Sequence, residues 1–192
     1  MSEMYPWPGD YKTGDPSSPV AVVTLADKFD LDGDKVAIWG PMRTENLGIE
    51  KVVANVVSNP NIRFIVVCGN EIRGHQSGRS LIKLIDSGID EKGKIIGSPG
   101  AVPYIENLSE EAVERFREQV EVIDLIDINS KEKVEEAIDD SIEKNPGRFG
   151  EPYTAIKIEK KERSKFHADF ALHSSLRVSP WGDIASFESE VE

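Results

Sequence analysis

Apolar and polar positions along the chain keep to two periods, and the switch between them repeats. Val20-Ala21-Val22-Val23-Thr24-Leu25 is a β-branched run of strand length. Lys35-Val36-Ala37-Ile38-Trp39 is the next strand and stops at Gly40-Pro41. From Glu45 to Ser58 the residues Leu47, Ile49, Val52, Val53, Val56 and Val57 fall mostly on one helical face, and Asn59-Pro60 ends the helix. Ile62 to Cys68 is almost continuously apolar, as expected of a strand covered on both faces. A glycine-rich loop from Gly69 to Gly78 follows. A short helix then runs from Arg79 to Asp86, with Gly88 where a C-cap belongs. Lys94-Ile95-Ile96-Gly97 predicts a short strand, and Ser98 to Pro103 a rigid loop. Ser109 caps a helix that carries Glu110 and Glu111 in its first turn and runs to about Gln119. Val120 to Ile126 is a strand, and Ser130 to Lys144 a charged helix with Val134, Ala137, Ile138 and Ile142 inward. Tyr153 to Ile158 alternates like an edge strand.

Strands and helices alternating at this spacing predict parallel βαβ units. The fold class is therefore α/β: a doubly wound, Rossmann-type, mostly parallel sheet with helices on both faces, over residues 20–160. Residues 1–19 read as an irregular N-terminal arm with a turn at Gly14-Asp15-Pro16, and residues 161–192 as a C-terminal extension. In that extension Phe166 to His173 alternates with period two. Asp30-Leu31-Asp32-Gly33-Asp34 lacks the closing acid and the spacing of a calcium loop and is a turn. Open α/β sheets bind ligands outside the carboxyl ends of their strands. That selects three loops: Gly40 to Leu47, Gly69 to Gly78, and Gly97 to Asn107.

Composition narrows the function. The 192 residues carry 23 Lys and Arg against 35 Asp and Glu, a formal charge of −12, and no basic cluster free of acids. A nucleic-acid partner is therefore not expected. One cysteine, Cys68, excludes an internal disulfide framework and points to a reducing cytoplasm. The N-terminus has neither the basic nor the apolar region of a signal peptide. No apolar stretch approaches the ~20 residues of a membrane helix, so no membrane insertion by this chain is expected.

The loop Gly69-Asn70-Glu71-Ile72-Arg73-Gly74-His75-Gln76-Ser77-Gly78 carries the most chemistry. Its glycines allow a ligand close to the backbone, and His75 is a metal-binding and titrating side chain just before a helix N-terminus. Neither G-x-G-x-x-G nor a Walker loop is present. A structural or phosphate-contacting histidine is the alternative reading of this loop. His75-Gln76-Ser77-Gly78 matches the H-x-x-G part of the D-x-H-x-x-G signature of corrinoid-dependent methyltransferases. There the histidine is the lower axial ligand to cobalt and the aspartate holds the imidazole. Arg73 stands where that aspartate belongs, so the acid must come from Glu71 or from another loop.

The wider context is more specific. The segments Gly40 to Lys51, Ser58 to Phe64, Gly74 to Gly78, Ile96-Gly97, Ala101 to Asn107 and Ala112 to Phe116, with Gly9-Asp10-Tyr11 and Gly14 to Val22, occur in family order. Over about residues 5–150 the chain resembles the A-type, corrinoid-binding subunit of tetrahydromethanopterin S-methyltransferase of methanogenic archaea. The resemblance implies a cobalamin-type cobamide whose cobalt relays a methyl group from methyl-tetrahydromethanopterin to coenzyme M, with His75 as its lower axial ligand. It also implies partner subunits, because nothing in this chain offers a pterin site or a zinc-type Cys/His cluster for a thiol. Candidate cofactor contacts in the first loop are Met42, Thr44 and Asn46. In the second loop they are Gly69, Gly74, Gln76, Ser77 and Gly78, a bulky residue at Gly78 being expected to block uptake without unfolding the domain. In the third loop they are Gly97, Pro99, Gly100 and Asn107. The family's membrane-bound members end in a transmembrane helix, whereas residues 153–192 here depart from the family pattern, as expected of a truncated or soluble form with its own donor and acceptor. Two rival functions are a nucleotide- or phosphate-binding α/β enzyme in the same crevice and a corrinoid storage or regulatory module without turnover.

Overall fold

A computed structural model of the chain describes residues 4–72 and 74–156, and the backbone of 176–178 and 184–186. The chain divides into two compact units, Met1–Ile158 and Glu159–Glu192. In the first, strands β1 (Lys12–Thr13), β2 (Val20–Val23), β3 (Ile38–Gly40), β4 (Phe64–Gly69) and β5 (Glu121–Ile126) form one sheet in the order β1-β3-β2-β4-β5. All neighbours are parallel except β1, which pairs antiparallel with β3. Four helices accompany it: α1 (Leu47–Ser58), α2 (Ser77–Ser87), α3 (Glu110–Gln119) and α4 (Lys131–Glu143). The α/β class expected from the sequence is the observed one. In the second unit β6 (Leu176–Val178) pairs antiparallel with β7 (Ile184–Ser186), and the alternating stretch Phe166 to His173 lies outside the described residues.

The continuous apolar runs are explained by cover on both faces. Ala21, Val23, Ile65 and Val67 pack into one core with α1 to α3, through Ile49, Val53, Leu81, Leu84, Val113 and Phe116. Val20, Val22, Val66 and Cys68 point the other way, onto Val134 and Ile138 of α4 and onto Leu31, Val36 and Trp39. Burial, reinforced by the nearby Asp27 carboxylate, pushes the Cys68 thiol up to about 12. Cys68 is therefore expected to resist a thiol reagent at neutral pH in the folded protein and to react once denaturant is added, as absorbance assays read directly.

Gln119, fully buried at the end of α3, donates from Nε2 to the carbonyls of Val56, Asn59 and Ile62 at 3.0, 3.1 and 3.1 Å. One amide thus ties the C-terminus of α1 and the start of β4 to α3. Gln119→Leu is expected to lower the unfolding free energy by about 2 kcal/mol in a denaturant titration, because it removes the shared donor from buried carbonyls.

Four local expectations are corrected. The N-terminal arm is not wholly irregular, since Lys12 and Thr13 add an edge strand to β3. Lys94 to Gly97 is not a strand of the sheet; it makes only the isolated bridges Ile89–Ile95 and Lys94–Tyr104. Gly93 and Gly97, at φ 76° and 73°, turn the chain out of the extended region on either side. Tyr153 to Ile156 joins no ladder: the Tyr153 amide donates to the Val57 carbonyl, and Tyr153, Ala155 and Ile156 pack on the core instead; positions 157 and 158 lie outside the described residues. Finally, α2 begins at Ser77 rather than Arg79, because the Glu71 carboxylate accepts from the amides of Gly78 and Arg79 at 3.2 and 2.8 Å.

Candidate functional site

The three predicted loops meet, and Glu45 is where they meet. Glu45 precedes Asn46, the N-cap of α1, whose side chain accepts from Leu47 N. Its carboxyl is 2% exposed, and Oε2 lies 2.7 Å from Nδ1 of His75 in the loop after β4. The other oxygen, Oε1, accepts from the Val102 amide of the third loop at 2.9 Å. Burial alone would push this carboxyl up; the Val102 amide, the Glu45 amide and the His75 imidazole together hold it below its ordinary value. The group is a carboxylate, able only to accept, so it places the His75 proton on Nδ1. Nε2 has no hydrogen-bond partner among the described residues. The imidazole is 44% exposed.

Smaller contacts lock the loops around this pair. Ser77 Oγ donates to the Met42 carbonyl at 3.1 Å, Ser80 Oγ to the Gln76 carbonyl at 2.6 Å, and Ser98 Oγ to Ser80 Oγ at 2.7 Å. Gly100 N donates to Ser98 Oγ. A Cβ at Gly100 would lie 2.6 Å from Glu45 Cγ and 2.8 Å from Ser80 Oγ, so the third loop seats on Glu45 only because it has a glycine there. A second buried carboxylate, Glu50 in the first turn of α1, accepts from the amides of Glu106 and Asn107 and from Asn107 Nδ2. Two acids five residues apart thus pin residues 102–107 to the start of α1, where the helix dipole favours negative charge.

The predicted contacts divide between this junction and other tasks. Gly74, at φ 86°, has open space around it, and Gln76 and Pro99 are exposed beside the junction. Met42 and Ser77 are buried and join the first two loops. Thr44 Oγ1 accepts from Gly48 N, as a helix cap, and Asn107 is occupied with Glu50. Gly69 packs against the Thr24 carbonyl and Asp27, and Gly97 lies near Lys83. Gly78 faces the core: a Cβ there would lie 2.9 Å from Leu25 Cδ1 and 3.1 Å from Ile126 Cδ1. A bulky residue at 78 therefore acts first on packing, contrary to the expectation that it would leave the domain folded. The N-terminus of α2 offers little to a phosphate, because Glu71 already fills its amides.

The MtrA family model, which describes the A-type subunit of tetrahydromethanopterin S-methyltransferase, matches residues 2–166. The chain belongs to this family. Among its relatives is the first A-type subunit of the tetrahydromethanopterin S-methyltransferase of Methanothermobacter thermautotrophicus, 48% identical over 80% of this chain and 67% of the relative. The second A-type subunit of Methanobrevibacter ruminantium is 50% identical over 83% and 86%. The A-type subunit of Methanosphaera stadtmanae is 44% identical over 96% of this chain and 76% of its own length. The names are those of one component of a methyl-transferring assembly. No helix among the described residues is long and apolar enough to cross a membrane.

In this family member the acid missing two residues before His75 is supplied 30 residues upstream by Glu45. Glu71, the nearer candidate, caps α2 instead. Glu45 lies inside the quoted Gly40 to Lys51 segment, yet its neighbours there read as helix-capping residues.

Proposed function

We propose that the chain is a cobamide-binding methyl carrier, working in the cytoplasm with partner subunits that bring the methyl donor and the acceptor. The lower axial ligand to cobalt is His75. The observation that carries this reading is the His75–Glu45 pair: a half-exposed imidazole, its Nδ1 bound to a buried carboxylate and its Nε2 without a partner among the described residues. Among the described residues no three His, Cys, Asp or Glu side chains converge on a bare ion. A metal already held by a macrocycle asks the protein for one nitrogen, and one is on offer.

The cobalt, when bound, supplies a strong nucleophile toward the methyl group in its reduced state and a good methyl donor afterwards. The chain's residues bind and orient. Gly74 and Gly100 keep the loops on either side of His75 low, Gln76 and Pro99 flank it, and Glu45 fixes the tautomer and the ring plane. Leu47 and Val102, exposed apolar side chains at the start of α1 and on the third loop, offer surface to an apolar partner beside the pair. The proposal extends the family's methyl transfer from methyl-tetrahydromethanopterin to coenzyme M, or a related pair, to this chain as a carrier rather than a complete catalyst.

Incubation with aquocobalamin followed by desalting tests it. The expected result is an equimolar coloured complex with a visible spectrum shifted from that of free cobalamin. A colourless protein after reductive and oxidative loading would remove the proposal. Methyl transfer on addition of candidate partner enzymes then separates a carrier from a storage or regulatory module.

A further inference from the structure

A second concavity lies away from His75, under the N-terminal arm. Two of the arm's attachments flank it. Trp7 exchanges two hydrogen bonds with the Asn55 side chain of α1, its amide donating to Oδ1 at 2.9 Å and its carbonyl accepting from Nδ2 at 2.8 Å. Further on, β1 pairs with β3. Between these attachments residues 9–11 bridge a pocket of about 280 Å3. Its walls are apolar: Tyr11 from the arm, Ile38 from β3, and Leu47, Val52 and Val56 from α1. Gly40 lets the arm close over it, since a Cβ there would lie 2.7 Å from the Asp10 carbonyl oxygen and 2.8 Å from Tyr11 Cα. The pocket includes neither Glu45 nor His75; the loop between β3 and α1 stands between the two places.

Two cations line the pocket, and they differ. Arg43 is already neutralised by Asp10 at 3.1 Å. Lys51 is half-buried and has no carboxylate within ion-pair distance among the described residues. Its stem covers the wall, and its ammonium is free to receive an anion. The volume, at the small end for ligand sites, suits one ring system with a short acidic arm.

We infer that this pocket is a second binding site, taking a small ring-bearing carboxylate with its ring between Tyr11, Ile38 and Val52 and its carboxylate on Lys51. The pocket shares Thr44 and Leu47 with the surroundings of the His75 site.

Indole-3-acetate serves as the probe, with neutral indole-3-acetamide as its isostere, in amide NMR titrations of the full chain at low salt. Saturable shifts are expected at residues 9–11, 38–40 and 48–56. The acetamide should bind about tenfold more weakly, as expected for the loss of one charge-assisted contact in a partly exposed site. Lys51→Met should bring the acid down to the level of the acetamide. Val52→Phe should abolish binding of both by filling the space. Lys51→Met alters a surface-reaching side chain, so it tests the site even if Val52→Phe disturbs the core. Absence of saturable shifts at millimolar probe, equal affinity for acid and amide, or unchanged binding to Lys51→Met would each overturn the assignment.

Discussion

His75→Ala is expected to take up some corrinoid and to lose every protein nitrogen from the cobalt. The loops that surround His75 are held by contacts the imidazole does not make: Ser77 to Met42, Ser80 to Gln76, Ser98 to Ser80, and Glu50 to residues 106 and 107. The crevice should therefore survive truncation of a half-exposed side chain, with a lower denaturation midpoint because the buried Glu45 Oε2 loses its donor. The axial position should not survive it. Electron paramagnetic resonance of the Co(II) form, in protein labelled with 15N-histidine, reads the difference directly. The wild-type protein should show an axial-nitrogen splitting that changes with the label, and the variant should show none from the protein. A splitting that ignores the label, or that persists unchanged in His75→Ala, would remove His75 from the metal. His75 would hold the cobalt of a bound corrinoid in its oxidised state and would be free of it in the fully reduced one.

Glu45→Gln is expected to damage the site more than its size suggests. The carboxylate accepts from two donors, His75 Nδ1 and Val102 N. An amide has one oxygen and one NH2 group and serves only one of those donors. If the oxygen stays with Val102, the NH2 faces His75 and drives the imidazole proton to Nε2, spending the lone pair meant for cobalt. If the oxygen turns to His75, the NH2 meets the Val102 amide, and a buried donor goes unpaired. In the second case the unfolding free energy should fall by about 1 to 3 kcal/mol, the usual cost of an unsatisfied buried polar group. The axial splitting in the resonance spectrum should weaken as well, a change that a merely structural role would not produce. The pH profile carries a further signature. Because the folded-state pKa of Glu45 is held below its ordinary value, its contribution to stability is complete above the unfolded value and is lost as the pH falls through the folded one. Glu45→Gln should flatten that acid limb of the apo protein's stability. A variant with wild-type stability, acid limb and cobalt spectrum would show that Glu45 only fills space.

Strand–helix alternation, the capping residues Asn46 and Ser109, and the Gly88 helix end were legible in sequence because each depends on residues within a turn or two. The double-sided core was legible for the same reason. An unbroken run such as Phe64 to Cys68 has no polar face to give to water, so both sides must be covered. His75 stood out because glycines surround it. The elements misjudged from sequence were those decided by distant groups. Lys94 to Gly97 has strand-like composition, yet glycines in the left-handed region at either end and partners at Ile89 and Tyr104 limit it to isolated bridges. Tyr153 to Ile156 alternates, yet the acceptor of its first amide is a carbonyl of α1.

What the sequence by itself determined is the α/β class, the three loops that meet at the site, two of them at the carboxyl ends of strands, and the histidine among them. Only the tertiary structure decided which acid holds that histidine, and that Gly78 serves packing. Glu45 reaches His75 across 30 positions and Val102 across 57, and a carboxylate's partners at that range are set by how the loops pack over the assembled sheet, where β2 separates β3 from β4. Strand order comes from the summed burial of both faces of the sheet, which no local stretch of the chain contains.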